Sequence, residues 1–456
     1  MVQEKGKILF VSLGCDKNLV DTEMMLGMLS ERGYGFTDDE EEADIVVVNT
    51  CCFVNDAKEE SINTLLEMAE LRKTGHVKVL IAAGCLAQRY REEIQKEIPE
   101  VDAIVGTTAI ETIADTVDEV LAGMGHNHIA DCNGAVTYGK KRIVTTGGHY
   151  AYLKIAEGCD KHCTYCIIPK VRGNYRSIPM ESLLEEARFL VENGAKELIL
   201  VAQETTLYGQ DLYGKKSLAR LLHELCRIEG LFWVRILYCY PEEIDDELIQ
   251  AIKSEEKVCH YLDIPIQHGC DEILKRMGRR TDKKALISIV DKLRKEIPDI
   301  CLRTTLITGF PGETEEQHEE LLQFIDEMEF DRLGVFTYSP EEDTPAALMP
   351  GQISEEVKEA RRNELMELQQ QIAFEQADQM VGKSLYAMVE GRVVDEDTKD
   401  SAAYVTRTYK DAPNGDDGYL FVNTSRELMT GDIVRVRVTG SNEYDLIGVL
   451  EDEFTE

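Results

Sequence analysis

Three cysteines fall within eight residues at Cys159, Cys163 and Cys166, in the stretch GCDKHCTYC. Metal sites built by protein alone commonly use four ligands, and no fourth cysteine stands nearby. His162 lies inside the loop and would have to bend back to serve. One reading is a structural zinc knuckle. The other is a [4Fe–4S] cluster on three thiolates, since soft sulfur suits an iron–sulfur core. One iron would then lack a protein ligand. An open position on a redox-active cluster can bind a small molecule and pass it an electron.

The same arithmetic recurs at long range. Cys15 lies in SLGCDKN, Cys51 in VVNTCCF and Cys85 in AAGCL, each just after a run that reads as a strand. Parallel strands in one sheet would bring those three loop tips to one edge. The alternative is three unrelated buried cysteines, which are common in cores. Cys52 follows Cys51 directly; adjacent side chains diverge at an extended strand end, so it reads as a bystander. Cys132, Cys226, Cys239, Cys259, Cys270 and Cys301 have no clustered spacing and read as packing residues, Cys239 and Cys270 lying near strand ends. The total of thirteen is odd, which argues against a disulfide scaffold; in a reducing compartment clustered thiols more often bind metal or react.

The elements that must position these thiols suggest an α/β chain. Short β-branched runs at 7–13, 45–48 and 78–83 alternate with helix-like stretches at 18–33 and 56–73, the pattern of a small parallel α/β domain over 1–125. Residues 126–149, rich in Gly and Asn, read as a linker. Over 150–345 the alternation restarts with six strand candidates, at 150–156, 196–202, 232–238, 260–266, 301–307 and 332–338. Helical stretches such as 180–193, 216–229, 243–254, 283–296 and 313–328 separate them. Six βα units with right-handed crossovers make a (β/α)6 partial TIM barrel, with active groups at the C-terminal strand ends. Residues 346–380 are a linker with a charged amphipathic helix over 354–380. Five short strands within 381–450 suggest a small antiparallel β-barrel.

Charge narrows the partners. The net charge is -36, and residues 381–456 hold 8 Lys/Arg against 16 Asp/Glu. Nucleic-acid binding depends on cations that neutralise phosphates, so no strong direct binding to RNA or DNA is expected; the acidity either suits a basic partner or only keeps the chain soluble. No run of about 18 apolar residues suggests a membrane span. The start, MVQEKGKILF, lacks the features of a signal peptide. A cytoplasmic location is expected.

CDKHCTYC resembles the C-x3-C-x-aromatic-C signature of radical S-adenosylmethionine (SAM) enzymes, with Tyr165 at the aromatic position. The resemblance implies that SAM's amine and carboxylate chelate the open iron and that one electron from a reduced donor yields a 5′-deoxyadenosyl radical. Candidate SAM contacts at later strand ends are Gln203, Glu204, Asp263, Gln267 and Arg303, with Gly309 and Gly312 in the turn GFPGE. Asp263 reads equally as a satisfied core carboxylate, and the two glycines as an ordinary turn. Arg172 and Arg176 could steer a carboxylate or be solvated surface charges.

The three-part layout is similar to the methylthiotransferases: an N-terminal domain with an auxiliary [4Fe–4S] cluster on three cysteines, here Cys15, Cys51 and Cys85, then a radical SAM domain and a C-terminal TRAM barrel. That similarity implies two SAM molecules, one giving a methyl group and one the radical, and a C–SCH3 product. LGCDKNLVDTE, AQETTLYGQDLYG, YLDIPIQH and DRLGVFTYSPEEDTPA resemble the branch that modifies the β-carbon of an aspartate on the twelfth protein of the small ribosomal subunit. The acidic C-terminal region agrees, since it would repel tRNA, the substrate of the other branch. Cys52 departs from the pattern, where glycine is commoner. Two other readings stay open: the same chemistry on a tRNA adenosine, and a non-catalytic iron–sulfur protein that binds the ribosome.

Overall fold

The computed structural model describes residues 5–139, 141–393, 402–413 and 417–453. Its N-terminal part holds β1 (Lys7–Ser12), β2 (Gly35–Phe36), β3 (Ile45–Thr50), β4 (Val79–Ala83) and β5 (Ala103–Val105), all parallel in the order β2-β1-β3-β4-β5. β3 and β4 are buried along their whole length. Helices cover both faces of a parallel sheet, which is why these strands read as unbroken apolar runs. Val20, Met24 and Leu29 of the helix Asp16–Arg32 pack on one face; Leu65 and Met68 of the helix Asn55–Thr74 pack on the other. β2, β5 and the helices Gly84–Arg89, Arg91–Glu97 and Ile113–Leu121 were not anticipated. All but the last are too short to show a clear period; Ile113–Leu121, at nine residues, is as long as two helices that were expected and was simply missed.

Among its described residues the segment 126–149 contains no helix, but it is firmly attached. Arg142 is buried, pairs with Glu23 and Glu186, and donates to the Tyr152 carbonyl at 2.9 Å. It straps the first sheet to the next one.

The central part contains β6 (Tyr150–Lys154), β7 (Ala156–Glu157), β8 (Arg176–Ser177), β9 (Glu197–Val201), β10 (Trp233–Ile236), β11 (Val258–Asp263), β12 (Cys301–Thr308) and β13 (Arg332–Thr337). Six of these form a parallel sheet in the order β13-β12-β11-β10-β9-β6. With six strands rather than eight, the curl stays open between β6 and β13. The expected first strand breaks after Lys154, and β7 leaves the sheet to pair antiparallel with β8. That clip closes the base of the loop that carries Cys159, Cys163 and Cys166. The helices Met180–Glu192, Leu218–Cys226, Asp246–Ser254, Lys283–Glu296 and Glu315–Met328 lie within a few residues of expectation. Thr314 and Gln317 form a capping box that starts the last of them.

The helix Glu355–Asp378 leads to β14 (Ser384–Val393), β15 (Ala402–Thr408), β16 (Leu420–Thr424), β17 (Ile433–Asn442) and β18 (Asp445–Leu450), a closed barrel in the order β14-β15-β16-β18-β17. Val394, expected to extend the first of these strands, lies outside the described residues. Four pairings are antiparallel and the fifth, β16 with β18, is parallel. A ring of five strands cannot alternate direction all the way round, so one parallel pair is unavoidable.

The parts share cores. Ile8, Val20 and Met24 of the first sheet pack with Tyr150, Tyr152, Ile199 and Val201 of β6 and β9. The first part therefore lies against the partial barrel. From the C-terminal part, the stretch after β15 reaches the barrel rim, where Arg332 meets Asp411 at 2.9 Å and Tyr261 donates to Asp417 at 2.9 Å. Among the described residues no helix is long and apolar enough to cross a membrane.

Candidate active site

Strand register brings the first three cysteines together. β1, β3 and β4 are neighbours; Ser12 pairs with Asn49, and Asn49 with Ala83. Cys15 follows Ser12 by three residues, and Cys51 and Cys85 follow Asn49 and Ala83 by two each. All three thiols leave the same edge at nearly the same level. Gly14 makes room: a Cβ there would stand 2.7 Å from the Cys51 Cβ, and its φ of +90° is one that glycine adopts without strain. Asn18 ties the loops, donating to the Leu13 carbonyl at 2.9 Å and the Thr50 carbonyl at 3.0 Å. Ser61 accepts from the Cys51 amide at 2.9 Å.

Cys51 and Cys85 are buried, whereas Cys15 is exposed. Burial pushes the Cys51 and Cys85 thiols up. Neighbouring thiols raise them further, Cys15 acting on both, while the Arg172 guanidinium opposes the shift.

The second set sits on the loop between β7 and β8. That loop is pinned by the Cys159 amide on the Gly173 carbonyl at 3.0 Å, and by the Thr164 amide on the Met277 carbonyl at 2.9 Å. His162 takes a left-handed φ of 53° at the turn between Cys159 and Cys163. Burial raises the Cys159 thiol to about 12 and lifts Cys166 as well, and Cys163 adds to both. The Tyr240 hydroxyl lies 3.5 Å from the Cys163 sulfur.

These two sets fit clusters better than single ions. A lone ion draws its ligands to one point, whereas each thiolate on a cubane meets a different iron. Among the described residues no three His, Cys, Asp or Glu groups close on a single-ion position. Within each set the thiols still stand near enough to interact, Cys51 and Cys15 raising Cys85, and Cys163 and Cys159 raising Cys166. Buried polar atoms beside the second set also lack hydrogen bonds: the Arg279 Nε and Nη1, and the Glu204 Oε2, which has only the Lys161 ammonium at 3.9 Å. Arg279 lies 4.2 Å over the Tyr240 ring. A buried cation with N–H donors free of hydrogen bonds and a carboxyl with an oxygen that accepts none suit a zwitterionic ligand such as SAM.

The other expected contacts separate into groups. Tyr165 is packed with Met277, Phe310 and Tyr338. Gln203 accepts from the Gly158 amide and donates to Glu157, both at 2.9 Å, so it braces the base of the cysteine loop. Burial lifts the Glu204 carboxyl to about 7, despite hydrogen bonds from Thr206 and the charge of Lys161. Gln267 has a φ of 73° and a buried Oε1 without a partner. Gly309 and Gly312 have φ near 72° and 74°; a Cβ would stand 2.4 Å from Lys358 and 2.6 Å from Arg276 respectively. The positive φ favours glycine at both, and at Gly309 the Lys358 stem also excludes a side chain, whatever the cofactor does.

Asp263 and Arg303, paired at 3.2 Å, sit elsewhere. They line a cavity of about 350 Å³ together with Cys15, Tyr238, Tyr261 and Pro413. All three parts of the chain contribute to its wall. Tyr238 holds a left-handed φ of 60°, donates to Asp16 at 3.1 Å, and lies under the Lys17 ammonium at 3.3 Å. Arg303 also meets Asp417 at 3.3 Å. Arg172 is fully buried, so it is not a surface charge; Arg176 donates to the Asn174 carbonyl at 2.8 Å beside it.

Sequence reasoning missed Asn18, Lys17, Tyr238, Lys161, Tyr240 and Arg279. Asn18 and Lys17 follow Cys15 within the quoted CDKN, a usable signal. Tyr240 and Arg279 carry none, because only the fold brings them to the loop.

Residues 7–106 match the uncharacterized protein family UPF0004, 153–325 the radical SAM superfamily, and 381–450 the TRAM domain. The chain is 63% identical over 98% of its length to all of a ribosomal protein uS12 methylthiotransferase RimO from Lachnoclostridium phytofermentans. It is 49% identical to those named alike from Acetivibrio thermocellus and Geobacter sulfurreducens, over 98% of this chain and 99% of each relative. Its fold resembles a radical SAM methyltransferase, TsrM, from Kitasatospora setae solved with cobalamin and a [4Fe–4S] cluster, with a TM-score of 0.55 at 13% identity, covering 83% of this chain and 79% of that one. The chain belongs to the family of ribosomal protein uS12 methylthiotransferases, RimO.

Proposed function

We propose that this enzyme attaches a methylthio group to the β-carbon of an aspartate on ribosomal protein uS12. The observation that carries the reading is the pairing of two three-thiol sets, one of which opens through Cys15 onto a cavity walled by all three parts. Relatives named for that activity match along nearly the whole chain. When bound, two [4Fe–4S] clusters and SAM supply the electron, the hydrogen-abstracting radical and the methylthio group.

The chain's own residues do the rest. Cys159, Cys163 and Cys166 hold one cluster, and Cys15, Cys51 and Cys85 the other. The β7–β8 clip and Gln203 fix the first loop; Asn18 fixes the second set. Glu204 and Arg279 offer a carboxyl and a cation to the amine and carboxylate ends of SAM, while Tyr165 packs behind the loop. Arg303 and Asp263 line the space where the substrate side chain enters. Burial of Cys159 and Cys163 helps to keep water from a reactive radical. The domain limits we assign are 1–125, 126–149, 150–345, 346–380 and 381–450. A reduced electron donor, the basic ribosomal partner and a cytoplasmic location complete the reading, and the acidic barrel surface disfavours RNA as substrate.

Mass spectrometry of ribosomal proteins from a strain lacking the gene tests this. The uS12 aspartate should lose its methylthio mass; retention of that mass overturns the proposal. Metal analysis should give about eight irons per chain, four for each cubane.

A further inference from the structure

Arg172 does more than fill space. It is fully buried on the short helix after the second cysteine loop, yet its Nε donates to the Cys85 sulfur at 3.3 Å. The same guanidinium reaches Asp21 at 2.7 Å, Glu157 at 3.2 Å, and the Asn18 side chain. Asp21 and Asn18 belong to the first sheet's helix, whereas Glu157 ends β7 directly ahead of Cys159. Glu157 accepts from Gln203, which in turn accepts from the Gly158 amide. Lys154 joins by pairing with both Asp21 and Glu157. An unbroken hydrogen-bonded path thus runs from the Cys159 loop through Gln203, Glu157 and Arg172 to the Cys85 sulfur.

The charges are balanced: two buried cations, Lys154 and Arg172, face two buried carboxylates, Asp21 and Glu157. Lys154 already bridges the carboxylates, so a second cation is not required merely to join the two sheets. What Arg172 adds is a donor on a ligand sulfur. Hydrogen bonds to cluster sulfurs and nearby positive charge raise a cluster's reduction potential, because reduction adds negative charge.

We propose that Arg172 is a positioning residue that fixes Cys85 against the Cys159 loop and raises the reduction potential of the cluster on Cys15, Cys51 and Cys85. This rests on the ligand assignment proposed above. The cation would also hold negative charge on sulfur at that cluster, at the side facing the radical loop.

The test uses the full chain with Cys159, Cys163 and Cys166 all changed to Ala, so that only the N-terminal set binds iron. Iron content and the cluster's midpoint potential, followed by EPR during a redox titration, are compared for Arg172, Arg172→Gln and Arg172→Lys. About four irons should remain in each. Arg172→Gln should move the midpoint to a more negative potential, and Arg172→Lys should recover at least half of that shift. An unchanged midpoint in Arg172→Gln overturns the proposal. Loss of iron from both variants also overturns it, since the residue would then only support the fold. If the parent with Arg172 intact holds no iron, the ligand assignment itself fails, which separates the two outcomes.

Discussion

Replacing Glu197 by Gln should loosen the C-terminal barrel from the partial barrel by a predictable amount. Glu197 is fully buried at the start of β9. Its Oε1 accepts from the Arg235 Nε at 2.7 Å, and its Oε2 stands 2.6 Å from the Arg407 Nη1, an ion pair without an aligned hydrogen bond. Arg407 also pairs with Glu390 at 2.9 Å, and Arg235 donates to the Tyr409 carbonyl at 2.6 Å. Two guanidinium groups therefore face two carboxylates across the junction. Glu197→Gln leaves one buried positive charge unmatched. Removing one partner of a buried pair costs about 3–5 kcal/mol, roughly two to three and a half powers of ten in an opening equilibrium. Amide exchange measured by mass spectrometry should accelerate by that factor in the peptide spanning 403–413, with little change in β3 and β4. Glu197→Gln combined with Arg407→Met restores the balance of charge and should recover most of the protection. Acceleration below about threefold in the single variant, or an equally fast double variant, would refute the reasoning.

Three further outcomes are expected. Cys163→Ala should abolish 5′-deoxyadenosine formation while keeping iron on the N-terminal set, whereas Cys85→Ala should keep some SAM cleavage and stop methylthio transfer; equal loss of cleavage in both would contradict two separate clusters. In the iron-free protein at pH 8, iodoacetamide should label exposed Cys15 well before Cys159, whose thiol burial raises to about 12; peptide mass spectrometry reads the order. Glu204 titrates near 7 when folded against 4.5 when exposed, so the folded chain keeps a proton that the unfolded chain has lost. Its contribution is fully favourable below about pH 4.5 and falls by about 3 kcal/mol as the pH rises through about 7; Glu204→Gln should flatten that decline in denaturant melts of the iron-free protein, and an unchanged slope would count against it.

Much of the site was legible because strands carry their own period. The β-branched runs before Cys15, Cys51 and Cys85 identified three parallel strands, and a shared sheet edge follows from that alone. The Cys159 loop was legible from spacing. The cavity was not, because it depends on how three units meet: Pro413 reaches Cys15 from the far end of the chain. The place of Arg172 was left open between a carboxylate contact and a solvated charge for a related reason. An arginine after a loop can be solvated until a partner sheet covers it, and three of its partners, Asn18, Asp21 and Cys85, lie on elements distant in sequence. Asp263 and Arg303 sit in consecutive strands at paired positions, so their contact could be read from the sheet, but the side of the site they face could not.

The register of β1, β3 and β4 also sets what change this enzyme can tolerate. Each residue along a strand advances about 3.3 Å and flips the facing side. A single deletion inside any of the three strands would retract one thiol by more than a bond length and aim it into the covering helices. Insertions at the opposite edge, where the helices Asp16–Arg32 and Asn55–Thr74 end, leave every thiol where it was. Cys15, Cys51 and Cys85 are scattered over seventy residues of chain, yet the spacing that matters is counted in rungs of the sheet. Lineages can therefore vary the intervening lengths freely while the rung count stays fixed.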